Sequence, residues 1–145
     1  MSLRVLCVCK GNTCRSPMFA AKLKDHFAMH GRQDVVIESA GYWWPAKGQP
    51  AAPDWITLQN ETGVNLSEHH SRWLGDIDLT SFDVIYCMDA ETLEEVKKTA
   101  VPSHIKVSLV NSPEGIPNPW EKGLDAYRAC YQVVCGAVGE VPPHR

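Results

Sequence analysis

The feature that most constrains the fold is a short apolar run that leads directly into a turn and a helix start. Residues 4–8 (Arg-Val-Leu-Cys-Val) form the nearly continuous apolar run that is typical of a strand buried on both faces. Residues 9–15 (Cys-Lys-Gly-Asn-Thr-Cys-Arg) then form a turn-rich segment. Ser16-Pro17 predicts a helix start, with Ser16 as the N-cap and Pro17 as the first helical residue. This order predicts a strand–loop–helix unit at the start of the chain.

Strand-like and helix-like segments alternate along the rest of the chain. The predicted strands after the first cover residues 35–37, 83–87 and 105–107, and the predicted helices cover residues 16–30, 54–62, 90–100 and 124–138. This alternation favours parallel strands joined by right-handed crossovers, with helices on both faces of the sheet. We therefore predict an α/β chain: a three-layer, Rossmann-like domain with a four-stranded parallel sheet. No repeat or linker interrupts the pattern, so we expect one domain over residues 1–145.

Composition excludes several classes of function. Hydrophobic residues make up 44% and charged residues 21% of the chain, values that are ordinary for a globular protein. The formal net charge is −3, so no basic excess supports nucleic-acid binding. No apolar run approaches the ~20 residues of a membrane helix, and no secretory signal is evident at the start. We expect a cytoplasmic protein with neither nucleic acid nor membrane among its partners.

The six cysteines do not form a metal or disulfide pattern. No two of them have C-x-x-C spacing, and a chain of this length can build its own core without disulfides. His26 and His30 lie one turn apart on the predicted first helix, but no further ligand completes a site, so we interpret them as a solvated helix face. We expect no metal and no cofactor. Most of the cysteines are interpreted as small buried hydrophobic residues.

Cys9 is the exception, because it lies where a parallel sheet binds its ligands. Ligands bind at the carboxyl ends of the strands in such folds, and Cys9 follows the first strand. Gly11 and Asn12 tolerate positive φ, which lets successive N–H groups turn inward to form an anion nest. The N-terminus of the next helix, the Arg15 guanidinium and the Ser16 hydroxyl also favour a thiolate and a bound phosphate. The chemistry is that of a thiolate nucleophile beneath a phosphate, with a phosphate-binding loop made of Cys9, Lys10, Gly11, Asn12, Thr13, Cys14 and Arg15.

Several collinear motifs then identify a resemblance. Residues 5–17 (Val-Leu-Cys-Val-Cys-Lys-Gly-Asn-Thr-Cys-Arg-Ser-Pro) resemble the opening of the low-molecular-weight protein tyrosine phosphatases. Residues 37–41 (Ile-Glu-Ser-Ala-Gly), 66–72 (Leu-Ser-Glu-His-His-Ser-Arg), 83–89 (Asp-Val-Ile-Tyr-Cys-Met-Asp) and 116–120 (Ile-Pro-Asn-Pro-Trp) match further stretches of that family in the same order. The resemblance covers almost the whole chain and implies a phosphatase of protein phosphotyrosine and small aryl phosphates.

The resemblance also implies a role for each matched residue. Cys9 would attack phosphorus and become a phosphocysteine, and Arg15 would bind the phosphoryl group and stabilise its transfer. Cys14 would either form a reversible disulfide with Cys9 or pack as a small residue. The implied partners are a phosphotyrosine protein and a cognate tyrosine kinase, and the implied state is a monomer or weak dimer. The side chains expected to support the phosphate loop are those of Asn12, Ser16, Ser39 and His69.

Asn118 is the largest departure from the family pattern. The family carries an Asp there, which protonates the leaving oxygen and then activates water, whereas an amide does neither. Four explanations stay open: a proton from Glu114 or Glu121, slow turnover or an easier leaving group, a pseudophosphatase that binds phosphotyrosine without turnover, and an engineered Asn. We nevertheless assign position 118 to the catalytic set.

The pocket walls and the loop raise the remaining specificity questions. We expect Trp44 and Trp120 to flank the substrate ring and Trp43 to belong to the core. Thr13 also occurs in relatives that resemble protein-arginine phosphatases, so that activity stays open as an alternative. Arsenate reductases of this fold carry two further cysteines, several residues apart, after the third strand. Here Cys87 has no second cysteine nearby, since position 94 is Glu94, so an arsenate reductase is excluded.

Overall fold

A computed structural model describes residues 2–143, so Met1, His144 and Arg145 of the predicted domain lie outside the described residues. Four strands form one sheet in the order β2-β1-β3-β4, and every neighbouring pair is parallel. This confirms the predicted α/β class. The strands are β1 (Arg4–Cys9), β2 (Val36–Gly41), β3 (Val84–Cys87) and β4 (Lys106–Leu109).

Helices cover both faces of the sheet, because the residues of the central strand β1 alternate between two cores. Val5 and Cys7 pack in the core that holds α1 and α5, whereas Leu6 and Val8 pack in the core that holds Val96 of α4. This explains why β1 is apolar along its whole length. The helices are α1 (Arg15–Met29), α2 (Pro53–Thr57), α3 (Gln59–Thr62), α4 (Ala90–Lys97) and α5 (Leu124–Gly139), and short 3-10 turns cover Trp44–Ala46, Leu74–Asp76 and Leu79–Ser81. None of the helices found within residues 2–143 is long and apolar enough to cross a membrane.

Helix α1 begins earlier than predicted, and the predicted capping role of Ser16 is wrong. The helix starts at Arg15, and Cys14 occupies the N-cap position without a side-chain cap. The Ser16 hydroxyl instead lies next to Cys9, at 3.0 Å from its sulfur. The predicted helix over residues 54–62 is also divided into α2 and α3, which meet at Leu58. The second strand is longer than predicted, because it continues through Ser39 to Gly41.

The end of β2 holds the phosphate-binding loop at close range. A Cβ atom on Gly41 would lie 2.5 Å from the Lys10 carbonyl oxygen, 2.8 Å from Gly11 C and 2.9 Å from Asn12 N. Only a residue without a side chain leaves space for this approach. The loop backbone therefore packs directly against the end of β2, and the absence of a side chain at Gly41 allows this short distance.

Candidate active site

The loop between β1 and α1 turns inward around the Cys9 sulfur. Asn12 has a φ of 58°, in the left-handed region, whereas Gly11 does not adopt positive φ. Asparagine tolerates this conformation better than most residues with a side chain. The turn brings the Asn12 N–H to 3.2 Å from Cys9 Sγ, to which it donates. The loop thus directs a backbone donor at the predicted nucleophile.

The Ser16 hydroxyl is the second group on the Cys9 sulfur, at 3.0 Å. Both side chains are almost fully buried, with Cys9 2% and Ser16 0% exposed. Two donors converge on one sulfur at the carboxyl end of β1 and the start of α1, where the helix dipole favours negative charge. This arrangement stabilises a thiolate and, after transfer, the sulfur of a leaving group.

A ring of outer contacts holds the loop carbonyls. His69 Nε2 donates to the Asn12 carbonyl at 2.7 Å, and the Ser71 hydroxyl donates to the Gly11 carbonyl at 2.7 Å. Burial lowers the pKa of His69 despite the opposing effect of its hydrogen bond to Asn12, so the neutral ring is favoured. The sequence stretch that matched the family contains Ser71, but its supporting role was not predicted. Ser39 makes no side-chain hydrogen bond within residues 2–143 and instead lines a groove of about 450 Å³ beside His69.

Arg15 lies at the start of α1 and is only 4% exposed. Its Nη1 donates to the Asp89 carboxylate and, at 3.3 Å, to the Ile116 carbonyl. Its Nε is buried without a hydrogen-bond partner among the described residues. A buried guanidinium with unused donors beside the nucleophile has the chemistry to bind a phosphoryl group. Asp89 follows β3 and is not among the site residues predicted from the sequence.

The Cys14 side chain lies on the side of the loop that faces the protein core. Its sulfur lies 3.3 Å from the Tyr127 hydroxyl and 3.6 Å from the Thr13 hydroxyl, and its carbonyl accepts from Trp55 Nε1 at 2.7 Å. Burial raises the pKa of Cys14, which keeps it a thiol. Cys9 and Cys14 are both free, so the reversible disulfide stays a prediction.

The loop that carries Asn118 is attached to the site through Ile116. The Ile116 N–H donates to the Met88 carbonyl at 2.6 Å, and its carbonyl accepts from Arg15. Asn118 itself is exposed, and its Oδ1 accepts from the Trp120 N–H at 3.2 Å. Oδ1 accepts this hydrogen bond within the loop, and the amide N–H₂ is available to donate to a ligand. Glu114 and Glu121, the predicted substitute acids, are both exposed.

Three exposed tryptophans lie on the two loops that flank the site, and one of them was wrongly expected in the core. Trp43 is 48% exposed, and its backbone N–H donates to the Lys10 carbonyl at 2.9 Å. The Lys10 ammonium lies 5.4 Å from the centre of the Trp43 ring, a cation–π contact that holds the ring beside the loop instead of beneath it. Trp44 is 61% and Trp120 48% exposed, as pocket walls would be.

The histidine pair on α1 is engaged by backbone oxygens. His26 Nε2 donates to the Val141 carbonyl at 2.7 Å, and His30 Nδ1 donates to the His26 carbonyl at 2.8 Å. Across residues 2–143, no group of three or more His, Cys, Asp or Glu side chains has the arrangement of a metal site.

Comparison with known proteins agrees with this geometry. A family model described as low molecular weight phosphotyrosine protein phosphatase matches residues 4–141. The low molecular weight protein-tyrosine-phosphatase YfkJ of Bacillus subtilis is 31% identical over 129 residues, which cover 83% of each protein. The crystal structure of a low molecular weight protein tyrosine phosphatase from T. tengcongensis superposes with a TM-score of 0.84 at 27% identity, over 94% of this chain and 95% of that one.

A structure named as Drosophila arginine phosphatase is similar to the same extent. It has a TM-score of 0.83 at 29% identity and covers 93% of this chain and 92% of its own. The match of the family model over nearly the whole sequence confirms the predicted family and enzyme class. The chain belongs to the low molecular weight phosphotyrosine protein phosphatase family.

Proposed function

We propose that this protein hydrolyses protein phosphotyrosine and small aryl phosphates through a phosphocysteine on Cys9. The sulfur forms a bond to phosphorus as the bond from phosphorus to the phenolic oxygen breaks. Water then attacks the phosphocysteine, which releases inorganic phosphate and regenerates the thiolate. Arg15 binds the equatorial phosphoryl oxygens during both steps.

The observation that carries this proposal is the pair of donors on the Cys9 sulfur. The Asn12 N–H at 3.2 Å and the Ser16 hydroxyl at 3.0 Å lie in a buried loop next to the unused donors of Arg15. A structural cysteine in a turn has no need of such surroundings, whereas a nucleophile that must also act as a leaving group does.

With Asn118 in place of a general acid, we expect this reaction to be slow. Its amide can donate a hydrogen bond to the leaving oxygen but cannot transfer a proton, and general acid–base assistance typically contributes about 10²–10⁴-fold. We infer that phenolate leaves without proton transfer from position 118, so the rate depends strongly on the leaving group. Glu114 and Glu121 are the carboxylates of the same segment that would remove this dependence if either supplied the proton.

The test is steady-state turnover of a phosphotyrosine peptide at about pH 6, with Cys9→Ser as the blank and phosphoarginine as a parallel substrate. Cys9-dependent turnover of phosphotyrosine supports the proposal. Turnover of phosphoarginine alone would assign the protein to arginine phosphatases. Loss of both, with the peptide still bound, would make the protein a binding module that recognises phosphotyrosine.

Thr13 and the Drosophila arginine phosphatase likeness support arginine phosphatase activity as a second candidate. The Thr13 hydroxyl lies 3.6 Å from the Cys14 sulfur. Its oxygen has two lone pairs, so it can still accept a hydrogen bond from the guanidinium of a phosphoarginine substrate. Under this candidate, Thr13→Ile lowers turnover of phosphoarginine and spares that of phosphotyrosine. Equal turnover of phosphoarginine by both proteins would reject it.

We further propose a cytoplasmic site of action, with a tyrosine kinase as the source of the substrate and with a monomer or weak dimer as the active form. The argument is chemical, because the nucleophile Cys9 must stay reduced and a reducing compartment maintains it. A mass measurement in solution tests the oligomeric state, and fractionation of the source cell tests the location.

A further inference from the structure

The residue that follows the nucleophile is a lysine whose side chain points away from the buried loop. Cys9 is 2% exposed, whereas Lys10 is exposed to solvent. The Lys10 carbonyl accepts from the Trp43 N–H at 2.9 Å, so its backbone is attached to the loop that also carries Trp44. The Lys10 ammonium is therefore carried by a fixed backbone, beside the nucleophile and beside one predicted wall of the pocket.

An aromatic ring, and not a carboxylate, holds this ammonium. Its nitrogen lies 5.4 Å from the centre of the Trp43 ring, and none of the ion pairs found within residues 2–143 includes Lys10. The ring restricts the directions in which the flexible side chain points, but it does not neutralise the charge. Lys10 thus presents a positioned cation with N–H donors that are free to meet a carboxylate.

Lys47, which follows the 3-10 turn Trp44–Ala46, is a lysine of the same loop with a different environment. Its ammonium lies 2.6 Å from an Asp76 carboxylate oxygen, and the two side chains are 51% and 47% exposed. The charges of this pair largely cancel at longer range. A negative ligand at the Trp43 side of the site is therefore attracted by Lys10 more than by Lys47.

The loop on the other side of the site carries the opposite charge. Residues 113–123 include two acidic side chains, Glu114 and Glu121, and one basic side chain, Lys122, so their formal charge is −1. All three are exposed, and Glu121 directly follows Trp120. A carboxylate on a bound peptide is consequently favoured on the Lys10 side and disfavoured on the Trp120 side.

We propose that Lys10, held by Trp43, selects phosphotyrosine peptides that carry an acidic residue close to the phosphotyrosine, on one side of it only. The Lys10 ammonium pairs with that carboxylate while Trp44 and Trp120 flank the phenyl ring. This inference rests on the proposed function, because it assumes that a phosphotyrosine peptide occupies the site. It adds recognition of the flanking sequence to a site whose buried groups recognise only the phosphoryl group.

Peptide binding to the Cys9→Ser protein tests this proposal without turnover. Each peptide carries one phosphotyrosine in an otherwise uncharged sequence, with a single Glu one or two residues before or after it, and is paired with the same peptide carrying Gln. Fluorescence anisotropy measures both Kd values. We expect the Gln peptide to bind about two- to fivefold more weakly than the Glu peptide on one side of the phosphotyrosine, as for one exposed ion pair, and we expect added salt to remove the difference.

Variants in the same Cys9→Ser background assign this preference to its residue. Lys10→Gln removes the charge, and we expect it to make the two Kd values equal. Trp43→Leu keeps the charge but removes the ring that positions it, so the ratio of the two Kd values should also fall. The control is Lys106→Gln, which removes an exposed lysine at the start of β4, at the opposite end of the sheet from the site, and should leave the ratio unchanged. Because the ratio is taken within each protein, a general loss of affinity in a variant does not affect it.

Equal Kd values for the Glu and Gln peptides at every position, or the same ratio in Lys10→Gln as in Lys106→Gln, would overturn the proposal. Failure of the proposed function has a different signature. If the phosphotyrosine peptides bind no more tightly than their unphosphorylated forms, both the function and the preference are rejected. If they bind with the Glu preference but the protein that retains Cys9 does not hydrolyse them, the function is rejected and the preference is supported.

Discussion

The Asn12 side-chain amide donates to Ser16 Oγ at 2.7 Å, and this contact fixes the direction of a hydrogen-bond chain that ends on Cys9. Asn12 Oδ1 accepts from the Arg72 backbone N–H at 2.9 Å, and a backbone N–H can only donate. The Asn12 N–H₂ group must therefore face Ser16, whose oxygen accepts it. The Ser16 proton is left to point toward Cys9 Sγ at 3.0 Å, a shorter contact than the 3.5 Å to the Ala40 carbonyl.

The first prediction concerns Ser16→Ala. Removing the hydroxyl deprives the sulfur of one donor in the thiolate and in the leaving state, so kcat is expected to fall by at least about tenfold. The loss should appear in both the formation and the hydrolysis of the phosphocysteine, measured by rapid-quench kinetics with an aryl phosphate. Ser81→Ala is the control, because the Ser81 hydroxyl donates to the Asp78 carbonyl at the far edge of the sheet. A kcat for Ser16→Ala equal to that of the control would contradict this role.

Much of this arrangement is predictable from sequence, because it depends on order along the chain. Cys9 follows an apolar strand and Arg15 starts a helix, so their meeting at a strand end follows from general rules for parallel sheets. Asp89 and Ser71 were missed as site residues because their roles depend on contacts across large sequence separations, 74 residues to Arg15 and 60 residues to Gly11. Local pattern carries no information on such pairings.

Trp43 shows a second reason why sequence reasoning fails. When two large apolar residues are adjacent, as Trp43 and Trp44 are, one of them is expected in the core. Here, however, the Lys10 side chain lies over the exposed Trp43 ring. Likewise, Ser16-Pro17 has the composition of a helix start, yet the demands of the Cys9 sulfur take the Ser16 side chain away from the cap. Functional contacts override local preference at both positions.

The second prediction is a pH dependence of stability that depends on His69. Its folded-state pKa is lowered below its usual value, chiefly by burial. Below the usual pKa of about 6.5 the unfolded chain therefore binds a proton that the folded chain does not, and stability falls as the pH drops toward the folded-state value. His69→Gln keeps an N–H donor for the Asn12 carbonyl but cannot titrate. We expect it to lose less stability than the wild type between about pH 7.5 and about pH 5.5 in urea unfolding.

The control for this measurement is His104→Gln, which removes an exposed histidine outside the site. It reports the effect of histidine removal alone. If His69→Gln and His104→Gln show the same change of unfolding free energy across the pH range, burial of His69 does not contribute to the acid sensitivity.

The third prediction concerns Gly41→Ala. The new Cβ would lie 2.5 Å from the Lys10 carbonyl oxygen, so the loop must move away from β2. We expect a loss of stability of about 1–3 kcal/mol, as for other overpacked sites, together with weaker phosphate binding because the loop N–H groups are displaced. Gly136→Ala on α5 is the matched control, because its Cβ would meet nothing within 4 Å. It should gain about 0.5–1 kcal/mol from helix propensity and leave phosphate binding unchanged. Normal phosphate binding by a folded Gly41→Ala protein would show that the loop does not depend on this close approach.

The last prediction concerns Asn118→Asp. A carboxylic acid at this position can give its proton to the leaving oxygen, and we expect kcat on a phosphotyrosine peptide to rise at least about tenfold. The gain should grow with the pKa of the leaving phenol, because poor leaving groups need the proton most. A series of substituted aryl phosphates measures this: the wild-type rate should fall steeply as the phenol pKa rises, and the Asn118→Asp rate should fall less.

Variants of the two glutamates in the same segment test the result that would contradict this prediction. If Glu121 or Glu114 already supplies the proton, Glu121→Gln or Glu114→Gln lowers kcat at least about tenfold and Asn118→Asp adds little. If neither does, both variants keep the wild-type rate and the steep leaving-group dependence. Because both glutamate side chains are exposed, we expect the second pattern. The single exchange at position 118 then accounts for the difference between this protein and an enzyme of the same loop with full acid assistance.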